Sequence, residues 1–260
     1  STSYASVEQK KTEGCDFNEI KSGDCRIVDI DKSLNANVSD IFNNKYLSPS
    51  SPYTTLRIPV QGIGEWCHPK LSADICDSVL RTMVKKNILR TSIAIPFRSF
   101  SKGNNIAYTS LWDNYPDRVV IPIKGKASHA YLLMAGSTNH MQSRIDNGII
   151  VVTYQDGSTD SLHLVNPDNW CPIEQDYYVD GKAFNTPSPR PYRIHLGSGL
   201  VSRDLGHDLN FKGVYGREIP CGAGVILDMP LDHTKSLKSL IVRTLSNDVV
   251  IGLMGLTLQK

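Results

Sequence analysis

Glutamate is scarce in this chain, at six residues against twenty aspartates, while Gly and Pro together reach thirty-three. Glu supports helices, whereas Asp, Gly and Pro support turns, so long helices have little local backing. No apolar run approaches the roughly twenty residues that cross a bilayer as a helix, and no membrane span is expected. Lys and Arg are scattered under a formal charge of +2. Without a basic stripe, neither nucleic acid nor an anionic membrane surface is an expected partner, and a neutral or small one is favoured. The usual chemical signatures are missing too. H-E-x-x-H, H-x-H and C-x-x-C patterns do not occur, so no metal is expected. LGSGL around Ser198 lacks the spacing of a nucleophile elbow, and the GIG and GAG triplets at 62–64 and 222–224 are too short for a dinucleotide loop, so no cofactor is expected.

What the chain does have is a succession of short apolar and β-branched runs bounded by Gly, Asn, Asp and Pro. Runs 149–154 and 159–164 meet across Gln155, Asp156, Gly157 and Ser158 and read as a β-hairpin, because Asp and Gly tolerate the positive φ of tight turns. The last run, VVIGLMGLTL over 249–258, carries Gly252 and Gly255 inside it. That suits a central strand closely approached by other backbone, or a bulge. Further strands are expected at 54–60, 79–84, 88–97, 119–123, 130–134, 193–196, 225–227 and 240–244, preceded by a first strand at 25–30 and one helical turn at 37–42 capped near Asn37. So many strands favour two facing sheets over one. The expected fold is all-β: a two-sheet antiparallel, jelly-roll-like β-sandwich with a short helical turn. Residues 1–24 read as a polar N-terminal arm, residues 25–260 as a single sandwich domain, and PSPRP at 187–191 as a rigid loop.

Six cysteines, Cys15, Cys25, Cys67, Cys76, Cys171 and Cys221, permit fifteen complete pairings. Cys15 with Cys25 and Cys67 with Cys76 are the close pairs for an oxidising compartment; buried free thiols are the other reading. The chain opens at Ser1 with neither an initiator Met nor a cationic signal region, as a processed or excised product would. The sequon Asn37-Val38-Ser39 is short enough to arise by chance and carries no function here.

Three tryptophans fall in connections: Trp66 in GIGEWCHP, Trp112 in TSLWDNYP and Trp170 in NPDNWCPIEQDYY. A flat ring covers the apolar face of a pyranose while neighbouring carboxylates and amides bind its hydroxyls, so Trp66, Trp112, Trp170 and Tyr177 are candidate sugar contacts. The alternative for each Trp is a plug closing one end of the sandwich. Glu174 and Asp176 are candidates for the two carboxylates of glycosidic cleavage, or else loop carboxylates accepting backbone N–H bonds. His207 and Asp208, in GHDLN, are a local His–carboxylate pairing and the remaining catalytic candidates.

The run YLLMAGSTNHMQSRIDNGIIVVTYQDGSTDSLHLVNPDNWCPIEQDYY and the ending PLDHTKSLKSLIVRTLSNDVVIGLMGLTLQK are similar to the C-terminal β-sandwich region of large, uncharacterised bacterial polysaccharide-utilisation proteins associated with glycoside hydrolases. The resemblance spans roughly residues 53–260. It implies a carbohydrate context, an oligosaccharide or polysaccharide ligand, an exported (periplasmic or cell-surface) location and a catalytic helical toroid as partner domain or chain. It transfers no catalytic residue, and the toroid is missing from this chain. Three functions therefore stand as expectations: an accessory or carbohydrate-binding sandwich first, then a glycoside hydrolase or polysaccharide lyase acting alone, then a structural subunit docking a catalytic chain.

Overall fold

Alternating burial in the outer strands and unbroken burial in the central ones define the architecture. The computed structural model describes residues 24–42, 74–111, 115–138, 142–177, 190–210, 216–247 and 249–260. Its largest sheet has seven strands. Across it run β1 (Cys25–Val28), β16 (Val250–Gln259), β7 (His129–Ser137), β14 (Ala223–Pro230), β11 (Tyr192–His195) and β12 (Val201–Ser202), with β5 (Ala107–Thr109) also paired to β16. A four-stranded sheet has the order β6 (Arg118–Pro122), β15 (Leu237–Thr244), β8 (Asp146–Tyr154) and β9 (Thr159–Val165). Two small sheets complete the set: β10 (Gln175–Tyr177) with β13 (Gly216–Glu218), and β2 (Val84–Lys85), β3 (Ile88–Leu89) and β4 (Phe97–Arg98). The ladders are antiparallel, and the chain is all-β.

Two apolar cores lie on opposite faces of the large sheet. Between the two main sheets, Ala130, Leu132 and Met134 of β7 and Val225 and Leu227 of β14 pack with Ile150 and Val152 of β8 and Leu240 and Val242 of β15. On the other face, Tyr131, Leu133 and Ala135 of β7 and Ile226 of β14 pack with Leu80, Leu89, Ile95, Phe97 and Ile106 from a covering layer. Successive side chains of a strand point to opposite faces, so alternate residues of β7 serve different cores. This explains why β7 and β16 read as continuous apolar runs, whereas β6, wet on one face, alternates exposed and buried along RVVIP. Among the described residues, no helix is long and apolar enough to cross a membrane.

Gly252 and Gly255 answer to close approach, though side chains of the covering layer make it and not backbone. A Cβ at Gly252 would fall 2.4 Å from Ile106 Cδ1, and one at Gly255 would fall 3.0 Å from Phe97 Cβ. The register of β16 on β7 also slips between Leu253 and Gly255, a bulge. The hairpin at 149–164 forms as β8 and β9, closed by a bond from Tyr154 N to Ser158 O (2.9 Å) with Gly157 at φ +85°. The turn near Asn37 is a 3-10 helix at Val38–Asp40. Its cap comes from elsewhere: Val38 N donates to Asn105 Oδ1 at 2.9 Å, while Asn37 Oδ1 accepts from Arg81.

Two expected strands are corrected. Residues 79–82 lie in a helix, Ser78–Thr82, with Met83 at its C-cap and Val84 opening β2; Leu80 and Met83, three apart, face one core. Asp77 fixes it, accepting from Arg81 Nε at 2.9 Å and from Asn105 Nδ2 at 2.7 Å. The run 88–97 breaks into β3 and β4 around a bend at 92–94, ahead of Pro96, which has no N–H for a ladder. The strand expected at 54–60, nearly all of the N-terminal arm and most of PSPRP lie outside the described residues.

Candidate functional site

Strand register decides which connections meet. Thr109 lies opposite Ile251 and Val250 opposite Ser137, so β5 and β7 end where β16 begins. Val225 lies opposite Met134 and Ala223 opposite His195, which brings the start of β14 and the end of β11 to the same edge. In the four-stranded sheet, Arg118 faces Arg243, Gly148 faces Thr244 and Asp146 faces Val165. Because the connections 110–117, 138–145 and 245–249 join one sheet to the other here, the two edges form one end of the sandwich. The connection carrying Trp112 and the polar run beginning at Asn166 leave from that same end.

The described surface at this end is amphipathic. Arg144 Nη1 donates to Asp168 Oδ1 at 2.8 Å, with both side chains partly open to solvent. Arg144, at φ +63°, also donates its backbone N–H to Asn166 O at 2.8 Å. Burial pushes the Asp168 carboxyl above its ordinary value and outweighs the opposing effect of Arg144. Asn169 is fully engaged by β9, accepting from Val165 N and donating to His163 O, each at 2.8 Å. Ile145, next to Arg144 in the chain, and Leu111, in the 110–117 connection, are exposed apolar side chains.

The structure redistributes the candidates named from the sequence. Trp170 is 0 % exposed, in the core between the sheets, and has no ring face for a ligand. It plugs the end of the sandwich and owes its place to Gly136, where a Cβ would fall 2.7 Å from the indole Cζ2. Asp176, 2 % exposed, accepts from Arg190 Nη2 at 2.6 Å and stands 3.5 Å from Arg193 Nη1. Arg193 in turn donates to the carbonyls of Gln175, Pro172 and Ala223. Burial opposes the charge of Arg190, but Cys171 and Asp176 hold its pKa above the ordinary value. Asp176 thus belongs to a buried brace between the 172–176 segment and the large sheet. Glu174 is half-buried, and its carbonyl accepts from Ile219 N at 2.9 Å.

His207 and Asp208 sit on the short helix Leu205–Asp208, capped by Asp204 Oδ1 on His207 N at 3.0 Å. The His207 side chain is 82 % exposed. The Ser202 hydroxyl, and then His207, hold the Asp208 carboxyl below its ordinary value. These are helix-end contacts on an element separate from Asp176. Trp66 and Trp112 lie outside the described residues; Tyr177 is in β10, with its side chain outside them.

A second polar cluster escaped the sequence reading. His195 Nε2 donates to Pro220 O at 2.7 Å, which leaves Nδ1 to accept from Ser198 Oγ at 2.7 Å. Beside it, Cys76 N donates to Cys221 O at 3.0 Å. Cys76, Cys171 and Cys221 are free thiols in the structure, and Cys15 and Cys67, one partner of each close pair, lie outside the described residues. The only trace of this cluster in the sequence is its glycines, LGSGL and PCGAG, whose turns bring residues from distant segments together. Among the described residues, no three His, Cys, Asp or Glu side chains converge as metal ligands would.

Compared with known proteins, the chain matches no family model and has no significant match among curated proteins or solved structures. The resemblance drawn above therefore stands on the quoted runs alone.

Proposed function

We propose that this chain is an accessory, carbohydrate-binding β-sandwich of a polysaccharide-degrading system, with its ligand face at the loop end described above. The observation that supports this reading is the shared end itself: the 110–117 connection, with exposed Leu111, leaves from the same end of the sandwich as the Arg144–Asp168 pair and exposed Ile145. A sugar needs an apolar surface for its C–H face and fixed charged or amide groups for its hydroxyls, and both kinds of group occur here. The strand orders β5-β16-β7-β14 and β6-β15-β8-β9 support reading the sandwich as a jelly roll, an architecture shared with lectin domains. A non-catalytic role fits the commitment of Asp176 to Arg190 and Arg193. The exported setting and the toroid partner follow from the resemblance.

Affinity electrophoresis in gels containing soluble xylan, pectin, β-glucan or mucin glycans tests the reading. Retardation by at least one polymer, abolished in Asp168→Ala and Trp112→Ala proteins that keep wild-type melting temperatures, is the expected result. Retardation unchanged by both substitutions, or none in any gel, would refute it; cleavage products detected by mass spectrometry would favour an independent hydrolase or lyase.

One observation favours the docking alternative. Val120, 51 % exposed, lies opposite Ile241, which lies opposite Val151, forming an outward apolar row across three strands of the four-stranded sheet. A catalytic chain seated there would bury it.

A further inference from the structure

We propose that Cys76 and Cys221 form an intramolecular disulfide under oxidising conditions, tying the segment before the helix Ser78–Thr82 to the turn that opens β14. Ile75 and Cys221 form a parallel β-bridge, and the 3.0 Å bond from Cys76 N to Cys221 O joins the cysteines' own backbones. Adding covalent dimensions to that bond keeps the two Cα atoms within about 7 Å, the upper limit of disulfide geometry. The two thiols are close enough for each to act on the other's ionisation. Gly197 leaves room for the Cys221 sulfur: a Cβ there would fall 2.9 Å from Cys221 Cβ and 3.1 Å from its Sγ. Both cysteines are only partly buried, so a small oxidant reaches them.

The two thiols differ in a way that sets the order of events. Hydrogen bonds from Ser78, first its hydroxyl at 3.2 Å and then its backbone N–H, hold the Cys76 thiol below its ordinary pKa. Burial, reinforced by Cys76 itself, pushes Cys221 up. With oxidised glutathione as the oxidant, the Cys76 thiolate attacks one sulfur of its disulfide, forming a mixed disulfide and expelling one glutathione thiolate. The Cys221 sulfur, on losing its proton, attacks the Cys76 sulfur and expels the second. Two protein thiols and one glutathione disulfide thus become one protein disulfide and two glutathione thiols, which take up the two protons.

The test is peptide mapping of the wild-type chain after equilibration with oxidised or reduced glutathione and trapping with an alkylating agent. Before alkylation the oxidised protein should weigh two hydrogens less than the reduced one; after it, the oxidised sample should lack alkylation at Cys76 and Cys221 together and yield a peptide joining the two. In a Cys67→Ser background, Cys221→Ser should strand the first step as a glutathione adduct on Cys76, whereas Cys76→Ser should leave Cys221 unmodified. A Cys67–Cys76 link in the wild type, or full alkylation of both thiols after oxidation, would overturn the assignment.

Discussion

At the scale of single residues, the chain separates two uses of glycine. Gly136 is required by its neighbours: a Cβ there would fall 2.0 Å from Val250 O, within a ladder that cannot yield, and against the Trp170 ring. Gly157 is required by its backbone, at φ +85° with open space around it. Gly136→Ala is therefore expected to destabilise the protein by about 3 kcal/mol, the upper end of overpacking costs. Gly157→Ala should cost about 1 kcal/mol, the penalty of a left-handed turn position. Urea unfolding of the two variants beside the wild type checks the order, and equal losses would contradict it.

At the scale of elements, the covering layer is held down by polar ties as well as by its apolar face. Arg98 of β4 grips Asp31, in the 3-10 turn Asp31–Ser33, through two bonds of 2.7 and 2.6 Å. Those bonds hold the Asp31 carboxyl below its ordinary value. Its contribution is therefore complete above the unfolded-state pKa of about 4 and is lost as pH falls through the lower folded value. Between about pH 4 and pH 2, the wild type should lose up to about 1 kcal/mol relative to Asp31→Asn, with a constant difference above pH 5. Denaturant titrations at each pH measure this.

The same scale shows what the sequence made legible. Runs such as 149–154 and 240–244 surfaced because a strand with one core-facing side must alternate, and the β8–β9 turn because Gly157 announces it. The helix Ser78–Thr82 did not surface, since five residues barely establish a period and its anchor is Asn105, a residue far along the chain. Nor did the fates of Trp170 and Asp176. Burial of the one depends on Gly136, and the pairing of the other depends on Arg190 and Arg193, across turns whose paths local chemistry does not set. For the loop end, the residues were readable while their shared location was not, because that location is a matter of strand order.

At the scale of the whole molecule, the large sheet is a wall common to both cores, with β7 giving Leu132 to one and Leu133 to the other. Neither core can melt without exposing the other's floor. Thermal unfolding followed by Trp170 fluorescence, in a Trp66→Phe, Trp112→Phe protein, should coincide with loss of far-ultraviolet circular dichroism; two separated transitions would show that the layers unfold independently.

The position of β16 carries a further consequence. It follows every other strand of its sheet in the chain, yet it lies between β7 on one side and β1 and β5 on the other. During synthesis, β1, β5 and the free edge of β7 wait for it. Until residue 259 has left the ribosome, β7 offers an open, strongly apolar edge, and β1 and β5 have no seat in the sheet. The interval between the emergence of β7 and that of β16 is thus the period in which the nascent chain is most exposed to wrong partners, and in which a chaperone would matter most.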